Sequence, residues 1–151
     1  MYTLAAEQQA TINSALEILS GLFQRQNLLA TSSDRVKQYC QFNLAHLEYE
    51  IFGVLLLDNQ HRLIKFVEMF RGTIDSASVY PREVAKEVLL SNAAAVIFTH
   101  NHPSGLAQPS DADKRITDRL VEGLKLFDVR TLDHIIVSHN ETYSFAEHGL
   151  L

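Results

Sequence analysis

Hydrophobic positions along the chain are first spaced as in helices, switch to strand-like runs near residue 51, and alternate between the two patterns from there on. Residues 4–27 carry Ile12, Leu16, Leu19 and Phe23 at helical spacing with Gln8, Gln9, Asn13 and Gln24 between them, which predicts an amphipathic helix. Thr31-Ser32-Ser33-Asp34 offers capping residues for a second helix over about 34–47, with Val36, Tyr39, Cys40 and Leu44 as its apolar positions. The run Ile51 to Leu57, the turn-type cluster Asp58-Asn59-Gln60-His61 and the run Leu63 to Phe70 predict a strand, a hairpin turn and a second strand. The first strand is buried on both faces and the second roughly alternates. Gly72 through Ser78 reads as a loop. Pro81 and Glu83 suit the first turn of a helix that buries Val84, Val88 and Leu89 and closes near Asn92.

Ala93 to Thr99 is a third apolar run, and it leads straight into His100-Asn101-His102-Pro103-Ser104-Gly105. Ser110-Asp111-Ala112-Asp113 then opens a long helix with Ile116, Leu120, Leu124 and Phe127 on its core face, and short strands follow at Leu132–Ser138 and Tyr143–Phe145. Strands alternating with helices predict an α/β domain built on a central mixed sheet flanked by helices.

At 151 residues the chain is long enough to bury roughly 68–70% of its unfolded surface as one domain, without disulfide or metal staples. Its 13 Lys+Arg against 18 Asp+Glu give a net charge of −5, and no segment is clearly basic, which argues against direct DNA binding by the isolated domain. Arg62, Lys65, Arg71 and Arg82 remain candidates for a local basic patch. The single cysteine, Cys40, excludes disulfide frameworks, Cys-rich zinc fingers and Cys-ligated deaminases. The N-terminus lacks a basic region followed by an apolar core, and no apolar run approaches the ~18 residues of a spanning helix, so a cytoplasmic protein is the expectation.

Candidate chemistry concentrates after the third apolar run. Side chains alternate in an extended chain, so His100 and His102 project to one side where a strand meets a loop, a usual place for ligands in α/β sheets. Catalytic zinc commonly takes three protein ligands, and Asp113 in the first turn of the next helix is the natural third. Ser110-x-x-Asp113 also reads simply as a capped helix start, and the two readings are compatible.

His100-x-His102-Pro103, seven intervening residues and Ser110-x-x-Asp113 together resemble the JAMM motif of the MPN/JAB metallopeptidases. The surrounding Gly72-Thr73-Ile74, Tyr80-Pro81-Arg82-Glu83, Asn92-Ala93-Ala94-Ala95 and Leu132-Asp133-His134 resemble the bacterial RadC-like branch, including its short members. The resemblance covers about residues 31–151 as one JAB/MPN domain with cytidine-deaminase-like layering, and leaves residues 1–30 as an N-terminal helix available for homodimer contacts. It implies Zn2+ held by His100, His102 and Asp113, Glu50 of the pattern Glu-x-x-Gly-x-Leu as general base, and Ser110 as oxyanion stabiliser. Glu48 is the close rival for the base and Glu68 a weaker one, whereas Glu83 is taken up by its helix start. The implied activity is hydrolysis of a peptide or isopeptide bond in a protein substrate by metal-activated water. The competing expectation is a DNA repair-associated or scaffold domain without peptidase activity. His134 reads as a paired strand residue, with lining of the site as its alternative role. His46, His61, His139 and His148 read as solvated.

Other histidine chemistries fail on spacing. There is no His-Glu-x-x-His helix, His-Asn-His at consecutive positions is not the dispersed nuclease motif, and the chain is too short for a TIM barrel of typically about 250 residues.

Overall fold

Strand β1, Ile51–Leu57, is buried at every position, as a strand covered on both faces must be. In the computed structural model, which describes residues 4–26, 32–72 and 79–151 and the side chains of these except 23–26, it pairs antiparallel with two neighbours. One is β2, Leu63–Arg71, and the other β3, Ala95–Asn101. β3 in turn runs parallel to β4, Arg130–Val137, whose outer side carries β5, Thr142–Ser144. The five strands thus lie in the order β2-β1-β3-β4-β5, a mixed sheet as expected.

Alternation along the strands sorts side chains onto two helical layers. On one face, Phe52, Val54, Leu56, Val96 and Phe98 pack against helix α3, Pro81–Leu90, and helix α4, Asp111–Lys125. On the other, Leu55, Leu57, Ala95, Ile97, Ile135 and Val137 meet Val36, Tyr39 and Cys40 of helix α2, Ser33–Leu44, with Leu16 and Leu19 of helix α1, Ala6–Gln26, packed over them. The parallel β3–β4 pair requires a crossover, and α4 supplies it.

The helix boundaries follow from local chemistry. Ser32 caps α2 by accepting from Arg35 N–H. Pro81 occupies the first turn of α3, and Asn92 leaves that helix with φ +51, the left-handed conformation that commonly ends helices. α4 begins with a reciprocal capping box between Ser110 and Asp113, places Ile116, Leu120 and Leu124 one turn apart on its buried side, and carries Lys125 in its last turn. Thr31, the side chain of Phe23 and most of the Gly72–Ser78 loop lie outside the described residues.

The ends of strands β4 and β5 fall one or two residues from the expected ones, and two other shifts bear on the site. α2 stops at Leu44 rather than near 47, because the chain beyond it is captured by the side-chain amide of Asn101. β3 continues through Asn101, and His102 N–H still donates to Val137 O at 2.8 Å, so the strand carries His100 and its pairing reaches His102. Leu89 is 48% exposed and lies off the buried stripe of α3, which Val84 and Val88 form. Phe127 is also exposed and falls beyond the end of α4.

Candidate metal centre

The site forms where the C-terminal end of β3 meets the N-terminus of α4. Parity places His100 and His102 on the α4 face and sends Asn101 to the opposite face. His100 Nε2 lies 2.9 Å from His102 Nε2 and 3.2 Å from Asp113 Oδ1, and His102 Nε2 lies 3.5 Å from Asp113 Oδ2. Donor atoms of the three residues all lie within 4.8 Å of one another. A tetrahedral site with bonds of ~2.0–2.1 Å places neighbouring donors ~3.3 Å apart, which these separations approach.

Each side chain is held in place from behind. His102 Nδ1 lies 2.8 Å from Leu106 O and donates to it, which leaves Nε2 as the bare nitrogen facing the cluster. The loop that brings Leu106 back turns through Gly105 at φ +100, and Glu141 anchors it by accepting from Ala107 N–H at 2.9 Å. Asp113 divides its two oxygens: Oδ2 accepts from Ser110 N–H and from Ser110 Oγ–H, both at 2.7 Å, while Oδ1 faces His100. The capping box therefore leaves Oδ1 turned towards His100, so the capping role and a ligand role are compatible. His100 Nδ1 meets His134 Nε2 at 2.8 Å, and His134 Nδ1 meets Thr117 Oγ1 at 2.6 Å.

Burial and charge then set protonation. His100 is fully buried, and desolvation holds its pKa below the usual 6.5 despite Asp113. His102 is shifted upward, mainly by its contact with Asp113, with burial opposing. Burial pushes Asp113 up, yet the imidazoles of His100 and His102 outweigh it and hold the carboxyl far below the usual range. Three lone-pair donors thus converge, with one carboxylate among them, an arrangement that calls for a cation. Two imidazoles and one carboxylate could together hold a metal ion.

Glu50 stands just before β1, two positions from Phe52, which pairs with His100 across the sheet. It is half-buried, and its carboxylate favours the charged form of both His100 and His102. Glu48 is exposed and Glu68 lies exposed on the edge strand β2. Asn101 fixes the segment that carries Glu50: its Oδ1 accepts from Ile51 N–H at 2.7 Å and its Nδ2 donates to Tyr49 O at 2.9 Å, so both peptide groups flanking Glu50 are clamped.

Three residues were underrated by sequence. His134 lies fully buried against His100 rather than serving only the strand. Thr117 and Asn101 carry no motif in the sequence, although Thr117 sits one helical turn beyond Asp113 on the same face. Of the remaining histidines, His139 and His148 are exposed, but the Nε2 of His61 is buried without a partner among the described residues. Of the candidate basic patch, Arg62 is paired with Asp58 at 2.6 Å, Lys65 with Glu87, and Arg71 lies over the Tyr49 ring. Among the described residues no helix is long and apolar enough to cross a membrane.

The family profile of the RadC-like JAB domain matches residues 30–150. The chain is 54% identical over 144 residues to a UPF0758 protein of Shewanella amazonensis, covering 95% of this chain and 64% of that protein. It is 53% identical over 146 residues to a UPF0758 protein of Vibrio cholerae, covering 97% and 91% respectively. A UPF0758 protein of Saccharophagus degradans is 51% identical over 144 residues, again with 64% of its length covered. The chain therefore spans just under two thirds of the Shewanella and Saccharophagus relatives and nearly all of the Vibrio one. With a profile match across the whole α/β unit and relatives more than half identical along it, the chain belongs to the RadC-like JAB domain family.

Proposed function

We propose that the chain is a zinc-dependent metallohydrolase of the JAMM type that cleaves a peptide or isopeptide bond in a protein substrate. The observation that carries this reading is the convergence of His100, His102 and Asp113 beside the half-buried carboxylate of Glu50. His100 Nε2, His102 Nε2 and a carboxylate oxygen of Asp113 would hold the ion. Bound zinc supplies Lewis acidity, polarising a carbonyl and acidifying water towards ~7.

The chain's own groups supply the rest. Glu50 accepts the proton of the attacking water and delivers it to the leaving amine, the general acid–base role that a carboxylate at this position can fill. Asn101, by clamping the peptides on either side of Glu50, fixes where that carboxylate stands. Ser110 donates to the developing oxyanion; because its proton rests on Asp113 Oδ2, this role requires the hydroxyl to rotate away from its capping position.

A peptide-library cleavage screen with the zinc-loaded protein tests this reading. The wild type is expected to cleave, and Glu50→Gln to lose on the order of 10²–10⁴-fold in rate, the range for general acid–base catalysis. Equal cleavage by both would remove Glu50 as the base. No cleavage by a zinc-loaded wild type would favour a scaffold role.

A further inference from the structure

We propose that Thr117 and His134 form a proton-ordering relay that fixes His100 in the one tautomer able to present a bare Nε2 to a metal. This rests on the metal-site reading above and adds two positioning residues to it. Thr117, His134 and His100 are each 0% exposed, so their polar atoms find partners in one another and in Asp113 and His102 rather than in water.

The direction of the relay follows from counting protons. Thr117 Oγ1 lies 2.6 Å from Asp113 O and 2.6 Å from His134 Nδ1. A backbone carbonyl only accepts, so the 2.6 Å contact with Asp113 O uses the single hydroxyl proton. The second contact must then be donated by His134 Nδ1–H. A neutral imidazole has one N–H, which leaves His134 Nε2 as an acceptor. Its 2.8 Å partner, His100 Nδ1, must therefore be the donor, and His100 Nε2 is left bare towards Asp113 and His102. The relay begins at the backbone of one proposed ligand, Asp113, and ends on the ring of another. The start of α4 and the end of β3 thus share one proton order. Ligand histidines commonly donate their second nitrogen to a carboxylate or carbonyl, and here a second imidazole backed by a hydroxyl takes that place.

Imidazole 15N–1H correlation spectra of the whole metal-free chain, recorded at a pH above the histidine range, read these tautomers directly. The expected spectrum has both His100 and His134 protonated at Nδ1 and bare at Nε2. A wild-type spectrum with His100 protonated at Nε2 overturns the relay. Thr117→Val keeps the shape but removes the hydroxyl; it is expected to shift His134 and His100 towards the Nε2–H form. Zinc affinity, read by competition with a chromophoric chelator, should then fall about 10–100-fold, the usual cost of losing an outer partner. Thr117→Ser restores the hydroxyl and should recover both readouts to within a few-fold of wild type. Unchanged tautomers and affinity in Thr117→Val overturn the proposal, as does failure of serine to rescue. A wild type that shows the expected tautomers yet binds no zinc refutes the metal reading and leaves the proton order standing.

Discussion

Replacing Asn101 by alanine removes the clamp on the segment before β1, and its cost can be worked from the partners left behind. Asn101 is 2% exposed, and its side chain accepts from Ile51 N–H at 2.7 Å while donating to Tyr49 O at 2.9 Å and Leu47 O at 3.4 Å. Ile51 is 1% exposed, so its N–H gains no water in exchange, and a buried unsatisfied donor costs ~1–3 kcal/mol. Tyr49 is 40% exposed and its carbonyl can rehydrate, which limits that loss to the ~1 kcal/mol net value of an ordinary hydrogen bond. The sum is a destabilisation of about 2–4 kcal/mol. With a urea slope of roughly 2 kcal/mol/M, the middle of the usual range, the unfolding midpoint should fall by about 1–2 M at unchanged slope. Asn101→Asp should do no better: it keeps an acceptor for Ile51 but sets a carboxylate oxygen against the Tyr49 carbonyl. Zinc affinity should stay within about threefold of wild type, because His100 and His102 leave the strand from the other face. An alanine variant within about 0.5 kcal/mol of wild type would refute the clamp, since surface-like changes fall in that range.

Three further outcomes follow from the same contacts. Gly53→Ala places a methyl 2.5 Å from Phe66 Cε2 and 2.7 Å from Cζ. The ring must leave its edge-on contact with Tyr39, which should cost about 1–3 kcal/mol in denaturant unfolding, and no measurable loss would show that the ring has room to move. Ser110→Ala removes the cap on Asp113 N–H and one donor to Oδ2, so stability should fall by ~0.5–2 kcal/mol. Zinc affinity should fall with it, and calorimetry showing neither change would contradict the capping box. His102 binds metal only when neutral, and Asp113 raises its folded pKa above 6.5. The proton therefore competes below that raised value, and zinc affinity should drop about tenfold per unit as pH falls through it, with proton release seen in buffers of different ionisation enthalpy. A pH-independent affinity between 5 and 8 would contradict this.

How much of this could be read from the chain itself depended on whether partners are local or brought together by topology. Ser110, Asp113 and the His-x-His pair declare themselves by spacing, because capping and strand alternation are rules about neighbours three or two residues apart. Glu50 has no such signature; it was identified through the resemblance, and the structure adds its half-buried position near both imidazoles. His134 was undervalued because its place beside His100 comes from the parallel pairing of β3 with β4, across the whole of α4. Asn101 has no local signature, because its partners Ile51 and Tyr49 lie about fifty residues earlier and meet it on the face opposite the histidines. The overlong α2 has the same origin: helical periodicity continues past Leu44, but a side chain from a strand more than fifty residues later takes the carbonyls of Leu47 and Tyr49. Thr117 looks like any mid-helix threonine until the imidazole behind it is known.

Whether His100, His102 and Asp113 hold a metal ion is read from the metal content of the chain purified without added metal, followed by calorimetric titration of the chelator-treated protein with Zn2+. Wild type is expected to bind one ion per chain and Asp113→Ala to lose that binding while remaining folded by circular dichroism. A folded wild type that takes up no zinc, or an Asp113→Ala variant with undiminished affinity and stoichiometry, would contradict the account.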